Sequence, residues 1–365
     1  MDKTSDTNSK QTILVIDDTP ENLSVINALL KEFYRVKVST SGVDGLNVAQ
    51  MLPQPDLILL DIMMPDINGY EVCRQLKANP VTESIPVIFL TAKIHMEDEQ
   101  RGFDVGAVDY IVKPISPPIV LARIQTHLFL KDQRRFLEYQ VEQRTREIAL
   151  IQNATIFALA SLVEARDNET GNHIRRTQNY VRLLAEKLRE HPRFAAQLTT
   201  PVIDLIYKSA PLHDIGKVGI PDRILLKPGP LTEEEYEVMK RHARLGANAL
   251  IEAEKVIGRD NNFLQYAREI AMWHHEHWDG SGYPDGLRGE DIPVSARLMA
   301  IADVYDALIS ERVYKKAFDH EVAVQIILEG RGKHFDPDIV DAFMAVKDEF
   351  WRIAEQYQDR YAGKA

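Results

Sequence analysis

Five short apolar runs alternate with segments of helical periodicity over the first third of the chain, and this alternation restricts the folds it can adopt. The runs are Ile13–Ile16, Val36–Val38, Leu57–Leu60, Val87–Leu90 and Tyr110–Val112. Short continuous apolar runs are typical of strands buried on both faces of a parallel sheet. The segments between them, such as Glu21–Phe33 and Gly45–Met51, have helical spacing. The alternation predicts a doubly wound α/β domain with a five-stranded parallel sheet.

Polar residues follow these runs where the predicted strands end. Asp17 and Asp18 follow the first run and Asp61 follows the third. Because the carboxyl ends of neighbouring parallel strands converge, these carboxylates should meet and repel one another unless a cation is bound. Oxygen ligands of this kind favour Mg²⁺, which also accepts a phosphoryl oxygen. Thr91 and Lys113 follow the fourth and fifth runs, where they could contact a phosphoryl group on Asp61.

Four segments resemble the receiver domain of bacterial response regulators. They are IDD (Ile16–Asp18), DIMMPDINGYE (Asp61–Glu71), LTA (Leu90–Ala92) and GAVDYIVKP (Gly106–Pro114). The resemblance implies that Asp61 accepts phosphate from a histidine kinase and that the carbonyl of Met63 helps to hold Mg²⁺. It further implies that Tyr110 is the aromatic residue that switches position on phosphorylation.

The segment that follows is rich in both signs of charge and contains no Gly or Pro between Leu121 and Ile151. Leu130, Leu137 and Ile151 share one heptad position, and Val141 and Ile148 share another. The pattern fits either a single solvated helix or a two-stranded coiled coil that joins two copies of the chain. The sequence thus predicts a disordered tail at 1–10, a receiver domain at 11–123, a helical linker at 124–153 and a further domain at 154–365.

The C-terminal part is dominated by long helical patterns. Examples are Ile156–Arg166, His173–Glu190, Glu233–Glu254 and Arg297–Ser310. Thr232 and Glu235 form a capping box that starts one of them. The overall fold class is therefore predicted to be α/β plus all-α.

Histidine and carboxylate residues recur in this helical part with metal-ligand spacing. His213 and Asp214 are adjacent, His274 and His275 are adjacent, and Glu169 lies four residues before His173. Imidazole and carboxylate without thiolate suit Fe, Mn, Zn, Co or Ni. Such ions activate water and neutralise phosphoryl oxygens. Lys217, four residues after His213, is predicted to lie on the same helix and to orient a phosphate or protonate a leaving oxygen.

Other histidines are interpreted as ordinary surface or core residues. They are His95, His127, His191 and His320. His277 is interpreted as a solvated variation, with a role as an additional ligand as the alternative.

The segments HDIGK (His213–Lys217) and HHEHWDGSGYPDGL (His274–Leu287) resemble the HD-GYP family of cyclic-di-GMP phosphodiesterases. RDNETGNH (Arg166–His173) and ADVYDALISERVYK (Ala302–Lys315) support the resemblance. It implies two or three divalent ions, with Fe or Mn favoured. Glu169 would help to bind a third ion, and the alternative is that it hydrogen-bonds a ligand histidine without contacting an ion. The implied ligands are Glu169, His173, His213, Asp214, His242, His274, His275 and Asp303. Asp214 and Lys217 would be catalytic, and the implied substrate contacts are Tyr283, Arg312 and Lys315.

Composition limits the remaining functions. The net charge of −11 argues against binding to a nucleic-acid polymer or an anionic membrane. A single cysteine, Cys73, and an N-terminus without an apolar core predict a cytoplasmic protein. The function predicted is hydrolysis of cyclic di-GMP to pGpG and/or GMP under control of Asp61 phosphorylation. The alternatives are a cyclic-dinucleotide sensor, a module that docks diguanylate cyclases, or a hydrolase that prefers pGpG or another cyclic dinucleotide.

Overall fold

The computed structural model describes residues 10–92, 96–167, 171–258, 262–311 and 317–358. The predicted tail lies outside this range except for Lys10. The chain forms two compact units, Met1–Arg146 and Glu147–Ala365. The first unit is α/β and the second is helical, which confirms the predicted fold class.

The first unit contains a parallel sheet with the strand order β2-β1-β3-β4-β5. The strands are β1 (Thr12–Ile16), β2 (Arg35–Ser39), β3 (Leu57–Asp61), β4 (Val87–Thr91) and β5 (Asp109–Val112). The chain moves from β1 to β2 on one side and then to β3 on the other. The crossover connections therefore diverge between β1 and β3, which is where doubly wound sheets bind ligands. Asp17 and Asp61 lie at the carboxyl ends of these two strands.

Only the central strands are fully buried. Every residue of β1, β3 and β4 is buried, whereas β2 has exposed residues and β5 is mostly half-buried. The prediction that all five strands are buried on both faces is therefore wrong for β2 and β5. The physical reason is their position at the two edges of the sheet, where each strand has one neighbour.

Alternate residues of the strands face opposite layers of helices. Leu14 and Leu60 pack in the core that includes Val72 of α3, whereas Val15 and Leu59 pack in the core that includes Ile26 of α1. The helices of this unit are α1 (Pro20–Leu30), α2 (Gly42–Gln50), α3 (Gly69–Ala78), α4 (Met96–Asp104) and the first part of α5 (Pro117–Arg166). The period of two along each strand thus divides the apolar residues between two cores.

Helix α5 is 50 residues long and has no break near residue 123 or 153. The five apolar residues of its predicted heptad seam are all exposed, from 53% at Leu130 to 66% at Ile148. By length and composition alone, α5 is the one helix among the described residues that could cross a membrane, and 17% of its apolar window is buried. A single such helix is weak evidence for insertion. The last turns of α5 carry Glu164 and Arg166, which pack within the helical unit.

The second unit is built from nine further helices among the described residues. They are α6 (Gly171–Leu188), α7 (Thr200–Ser209), α8 (Asp222–Leu225), α9 (Glu233–Met239), α10 (Arg241–Ile257), α11 (Asn262–Trp273), α12 (Val294–Ile309), α13 (His320–Glu329) and α14 (Pro337–Gln356). An aromatic cluster joins three of these helices. Tyr180 stacks on Phe350 with ring centroids 4.3 Å apart, and Tyr305 meets both rings edge-on.

Two predicted helices differ in the structure. The pattern Glu233–Glu254 is divided into α9 and α10, which meet at Lys240. The ring Nδ1 of His242 lies 2.8 Å from the carbonyl oxygen of Met239 and donates a hydrogen bond to it. The imidazole therefore binds a backbone carbonyl that a continuous helix would use for its own hydrogen bonding. His213 and Asp214 lie between 3₁₀ turns at Ala210–Leu212 and Ile215–Gly219. The prediction that Lys217 shares an α-helix with His213 is therefore wrong.

Candidate metal centre and phosphoryl-acceptor site

The predicted carboxylate cluster of the first unit is assembled at one edge of the sheet. Asp17, Asp18 and Asp61 each direct a carboxylate oxygen into a region where these atoms lie within 4.8 Å of one another. Asp17 is fully buried and Asp61 is 5% exposed. Three carboxylates this close repel one another, so the donor set fits a divalent cation bound through oxygen.

Lys113 provides positive charge at the same place. Its Nζ lies 2.8 Å from Oδ2 of Asp17 and 2.8 Å from Oδ2 of Asp61. Burial raises the pKa of Asp61, and the Lys113 ammonium opposes this effect only in part. Thr91 is buried at the end of β4, and its carbonyl accepts a hydrogen bond from the Lys113 amide at 2.7 Å. Acceptor carboxylate, hydroxyl and ammonium therefore lie on adjoining strand ends.

Met63 and Tyr110 are the other two residues that the sequence predicted for this site. The backbone N–H of Met63 points to Oδ1 of Asp61 at 3.4 Å, and the contact from its carbonyl to Mg²⁺ stays a prediction. Tyr110 is half-buried, with its ring edge-on to Phe103 and the Arg123 guanidinium 5.9 Å from its centroid.

The histidines of the second unit converge in two ligand groups. One consists of Asp214, His242, His274 and His275, and the other of Glu164, His173 and His213. Within each group the candidate ligand atoms lie within 4.8 Å of one another. The sequence predicted all of these residues except Glu164.

Asp214 lies between the two groups. Its Oδ1 is 3.2 Å from Nε2 of His242, and its Oδ2 is 3.5 Å from Nε2 of His213. A carboxylate in this position can bind one ion through each oxygen. The geometry therefore fits two neighbouring ions that share Asp214.

Hydrogen bonds on the outer side of each ring determine which nitrogen faces the centre. Nδ1 of His173 lies 2.8 Å from Oδ2 of Asp306, and Nδ1 of His213 lies 3.0 Å from the carbonyl oxygen of Ala210. Both Nδ1 atoms therefore carry the proton when the rings are neutral, and both Nε2 atoms present lone pairs. These Nε2 atoms are 3.4 Å apart. Two Nε2 lone pairs at this distance fit a cation held between them.

Burial keeps two histidines of the group that contains Asp214 in the neutral form that binds metal. It lowers the pKa of His274 to about 4 and lowers the pKa of His275 well below its usual value. Burial opposes ionisation of Asp214, but Lys217 and the nearby imidazoles outweigh it and hold the pKa of Asp214 well below its usual range. Burial would lower the pKa of His242, but its hydrogen bond to Asp214 outweighs this effect and raises that pKa. Neutral His274 and His275 and an ionised Asp214 are ligand forms that divalent ions require.

Lys217 contacts the centre through Asp214. Its Nζ lies 2.7 Å from Oδ2 of Asp214 and also pairs with Asp167. Although Lys217 is not on an α-helix with His213, the 3₁₀ turn brings its ammonium to the shared carboxylate. Lys217 therefore lies close to the candidate ligand Asp214, as predicted, but a 3₁₀ turn rather than an α-helix places it there.

The structure describes only some of the other predicted ligands and substrate contacts. Oδ1 of Asp303 lies 3.9 Å from Nε2 of His173, which belongs to the group with Glu164 and His213. The ring of Tyr283 stacks on His275 with centroids 4.7 Å apart. Glu169, Arg312 and Lys315 lie outside the described residues.

The histidines interpreted as ordinary residues have other partners. His127 pairs with Asp109 at 3.0 Å, and Nδ1 of His320 lies 2.8 Å from the Tyr305 hydroxyl. His95 lies outside the described residues. His277 contacts Ser281 and the ring of His334, and it belongs to neither ligand group.

Three functional carboxylates were missed by sequence reasoning. Asp306 orients His173, Asp167 pairs with Lys217, and Glu164 joins a ligand group. Asp306 had a usable signal, because it lies three residues after Asp303 and so shares a helix face with it. Asp167 and Glu164 meet their partners only through tertiary packing.

Gly216 lets the HD segment approach α10. A Cβ atom built on Gly216 would lie 1.9 Å from the carbonyl oxygen of His242 and 2.4 Å from the amide nitrogen of Gly246. We expect Gly216→Ala to push His213 and Asp214 away from His242, with a cost of about 1–3 kcal/mol in the free energy of unfolding. Bound metal should fall with it. Gly171→Ala, whose Cβ would make only ordinary contacts, is the control for thermal unfolding and metal content. Equal stability and metal content in the two variants would contradict the prediction.

Comparison with known proteins agrees with the two-unit architecture. Residues 13–125 match the response regulator receiver domain, and residues 158–339 match the HD domain. A probable cyclic di-GMP phosphodiesterase of Vibrio cholerae serotype O1 is 53% identical over 358 residues, which cover 96% of this chain and 81% of the relative. The cyclic di-GMP phosphodiesterase response regulator RpfG of Xanthomonas campestris pv. campestris is 36% identical, covering 94% and 90%. The 3'3'-cGAMP-specific phosphodiesterase 2 of Vibrio cholerae is 40% identical over 204 residues, covering 56% and 36%.

A receiver domain followed by an HD domain with two ligand groups defines a class of response regulators whose output is metal-dependent hydrolysis of a phosphodiester. The chain is an enzyme of this class and binds divalent metal through its HD domain. Within the class, it belongs to the phosphodiesterase response regulators of the HD-GYP family.

Proposed function

We propose that the protein hydrolyses cyclic di-GMP to pGpG and/or GMP, and that phosphorylation of Asp61 controls the reaction. The observation that carries the proposal is the position of Asp214, which lies between two ligand groups and beside Lys217. Two relatives that match nearly the whole chain are named for cyclic di-GMP.

The chain's own residues divide the work. Divalent ions at the two groups would lower the pKa of bound water and neutralise phosphoryl oxygens. Asp214 and the histidines hold the donor atoms in place, and Asp306 fixes the ring of His173. Lys217 donates a proton toward the leaving 3′-oxygen, while Asp167 and Asp214 hold its ammonium.

Fe or Mn is the metal proposed for the HD domain, as the family resemblance implies. Nitrogen and oxygen ligands without sulfur suit these ions and also Zn, Ni or Co. Mg²⁺ suits the all-oxygen cluster of the receiver domain. The two ligand groups support two ions in the HD domain, and a third ion bound with the help of Glu169 stays part of the proposal.

A dianionic dinucleotide needs local positive charge, because the whole chain carries a net charge of −11. Arg312 and Lys315 are the proposed sources of that charge. Tyr283 is proposed to contact a base or ribose, since its ring lies against His275 at the edge of the centre.

Another cyclic dinucleotide is the second candidate substrate, because one relative of the HD domain is named for 3'3'-cGAMP. A hydrolase that prefers pGpG, a cyclic-dinucleotide sensor and a module that docks diguanylate cyclases are further candidates. A degenerate sensor would be expected to lose the His213–Asp214 pair, the His274–His275 pair or Lys217, and this chain keeps all of them.

The deciding experiment measures turnover of cyclic di-GMP, pGpG and 3'3'-cGAMP by the full-length purified protein, with bound metal assayed on the same sample. Faster turnover of cyclic di-GMP than of 3'3'-cGAMP, in metal-loaded protein, supports the proposal. Metal-loaded protein that binds the dinucleotides without hydrolysing them would support a sensor.

The proposed partners follow from the two domains. A histidine kinase phosphorylates Asp61 in the cytoplasm, and the protein binds neither a nucleic-acid polymer nor a membrane. A second copy of the chain covers the exposed seam of α5, whose apolar residues repeat with heptad spacing. The proposed homodimer interface lies in the predicted linker at 124–153.

Phosphorylation of Asp61 should change hydrolysis or dimerisation, because α5 belongs to both units. We expect a 5–150-fold change in rate or in the dimer dissociation constant, corresponding to a coupling of about 1–3 kcal/mol. Beryllofluoride provides a stable mimic, and rate and molecular mass are measured with and without it. Asp61→Asn is the control that cannot respond. If wild type and control keep the same rate and mass under the mimic, the receiver domain is not coupled to the enzyme.

A further inference from the structure

Glu164 is a buried carboxylate on the last turns of α5. It is 3% exposed. Removing a carboxylate from water is costly unless a cation or hydrogen-bond donors compensate for it. The residues that share its surroundings therefore indicate what it does.

Among the described residues, two imidazoles that present lone pairs lie close enough to share an ion with Glu164. One carboxylate oxygen of Glu164 and ring nitrogens of His173 and His213 all lie within 4.8 Å of one another. The Nε2 atoms of the two histidines are 3.4 Å apart, and their Nδ1 atoms are engaged elsewhere. One carboxylate oxygen and two imidazole lone pairs thus face a common volume, and this donor arrangement fits a divalent cation.

We propose that Glu164 binds the same divalent ion as His173 and His213. The inference deepens the proposed function, since it assigns a further ligand to the same centre. It also makes the two ion sites chemically different. The site with Glu164 contains two imidazoles and can add oxygens from Asp214 and Asp303, whereas the other contains three imidazoles and one oxygen of Asp214. Oxygen-rich sites accept Mn²⁺ more readily than nitrogen-rich sites, which favour Zn²⁺, Ni²⁺ or Fe²⁺.

The end of α5 is anchored so that Glu164 keeps its place. The Arg166 guanidinium donates to the carbonyls of Lys217, Val218 and Ile220, and it pairs with Asp222. Asp167, the residue that follows Arg166, pairs with Lys217. These contacts fix the helix end against the segment that carries His213, which is the precision a metal ligand requires.

The test compares Glu164→Gln with Glu186→Gln, a substitution at an exposed position on α6. Glutamine keeps the size of the side chain and removes its charge. Mn²⁺ is titrated into metal-free full-length protein, and bound ions are counted by elemental analysis. We expect one ion per chain to bind at least tenfold more weakly in Glu164→Gln, while the second ion and the Glu186→Gln control are unchanged. Equal count and affinity in the two variants would overturn the role of Glu164.

A direct measurement on the wild type covers the case in which Glu164→Gln does not fold. Crystals loaded with Mn²⁺, the ion that this oxygen-rich site accepts more readily, give the ion position by anomalous scattering. An ion within coordination distance of a Glu164 oxygen supports the inference, and an ion bound to His173 and His213 but not to Glu164 overturns it. A wild type that binds no metal contradicts the proposed function as a whole, whereas metal-loaded wild type with an unaffected Glu164→Gln contradicts only this inference.

Discussion

Replacing His213 and Asp214 together with alanine is expected to reduce hydrolysis of cyclic di-GMP by about 1,000-fold or more, which corresponds to roughly 4 kcal/mol of transition-state stabilisation. The reason is the position of Asp214, which approaches ligands of both groups at 3.2 and 3.5 Å. Its loss removes a donor from each ion site, and the loss of His213 leaves Nε2 of His173 without its partner donor. Bound metal should therefore fall at both sites.

Helical content is the first check on this double variant. Its circular dichroism should stay near that of wild type, because the segment lies in 3₁₀ turns and the main aromatic core is built from α6, α12 and α14. His191→Ala is a matched control, since His191 belongs to neither ligand group. Wild-type turnover in a folded double variant that has lost its metal would contradict the catalytic role of the centre.

The sheet was predictable because its signal is local. Five continuous apolar runs locate the strands to within one or two residues, as for β3, predicted at Leu57–Leu60 and observed at Leu57–Asp61. The exposure of the edge strands was not predictable from the runs alone. The residues Val36–Val38 do not indicate an edge strand, and only the strand order shows that β2 lies at one edge of the sheet. The acceptor cluster followed from the strand ends, because parallel topology brings them together.

The metal centre was only partly predictable, because only some of its residues carry a local sequence signal. His213, Asp214, His274 and His275 are neighbours in sequence and carry a motif. Glu164 carries none, because its role arises only when α5 packs near His173. Asp306 carries only its spacing from Asp303, and its contact with His173 arises when α12 packs against α6. The break between α9 and α10 was also not predictable, because the amphipathic spacing continues across Lys240. The His242 ring forms a hydrogen bond with the carbonyl oxygen of Met239 there, and the spacing does not report this bond. Helical periodicity reports the buried face of a segment but not a side chain that interrupts the helix.

Lys217 gives the second large expected effect. Its Nζ lies 2.7 Å from Asp214 and also pairs with Asp167, so a proton donor is held beside the shared carboxylate. If it protonates the leaving oxygen, Lys217→Met should lower kcat by about 10²–10⁴-fold. KM and the number of bound ions should change little, because Lys217 is not a metal ligand. Turnover and elemental analysis on the same sample measure both quantities.

Two comparisons separate proton donation by Lys217 from simple charge. Lys217→Arg keeps the positive charge but cannot give up a proton, so it should be nearly as slow as Lys217→Met. Bis(p-nitrophenyl) phosphate has a leaving group that departs without protonation, and on this substrate both variants should lose much less activity than on cyclic di-GMP. Recovery of cyclic di-GMP turnover in Lys217→Arg, or equal losses on the two substrates, would show that the ammonium acts only through its charge. The pairing with Asp167 would then serve to position Asp214 rather than to hold a proton donor.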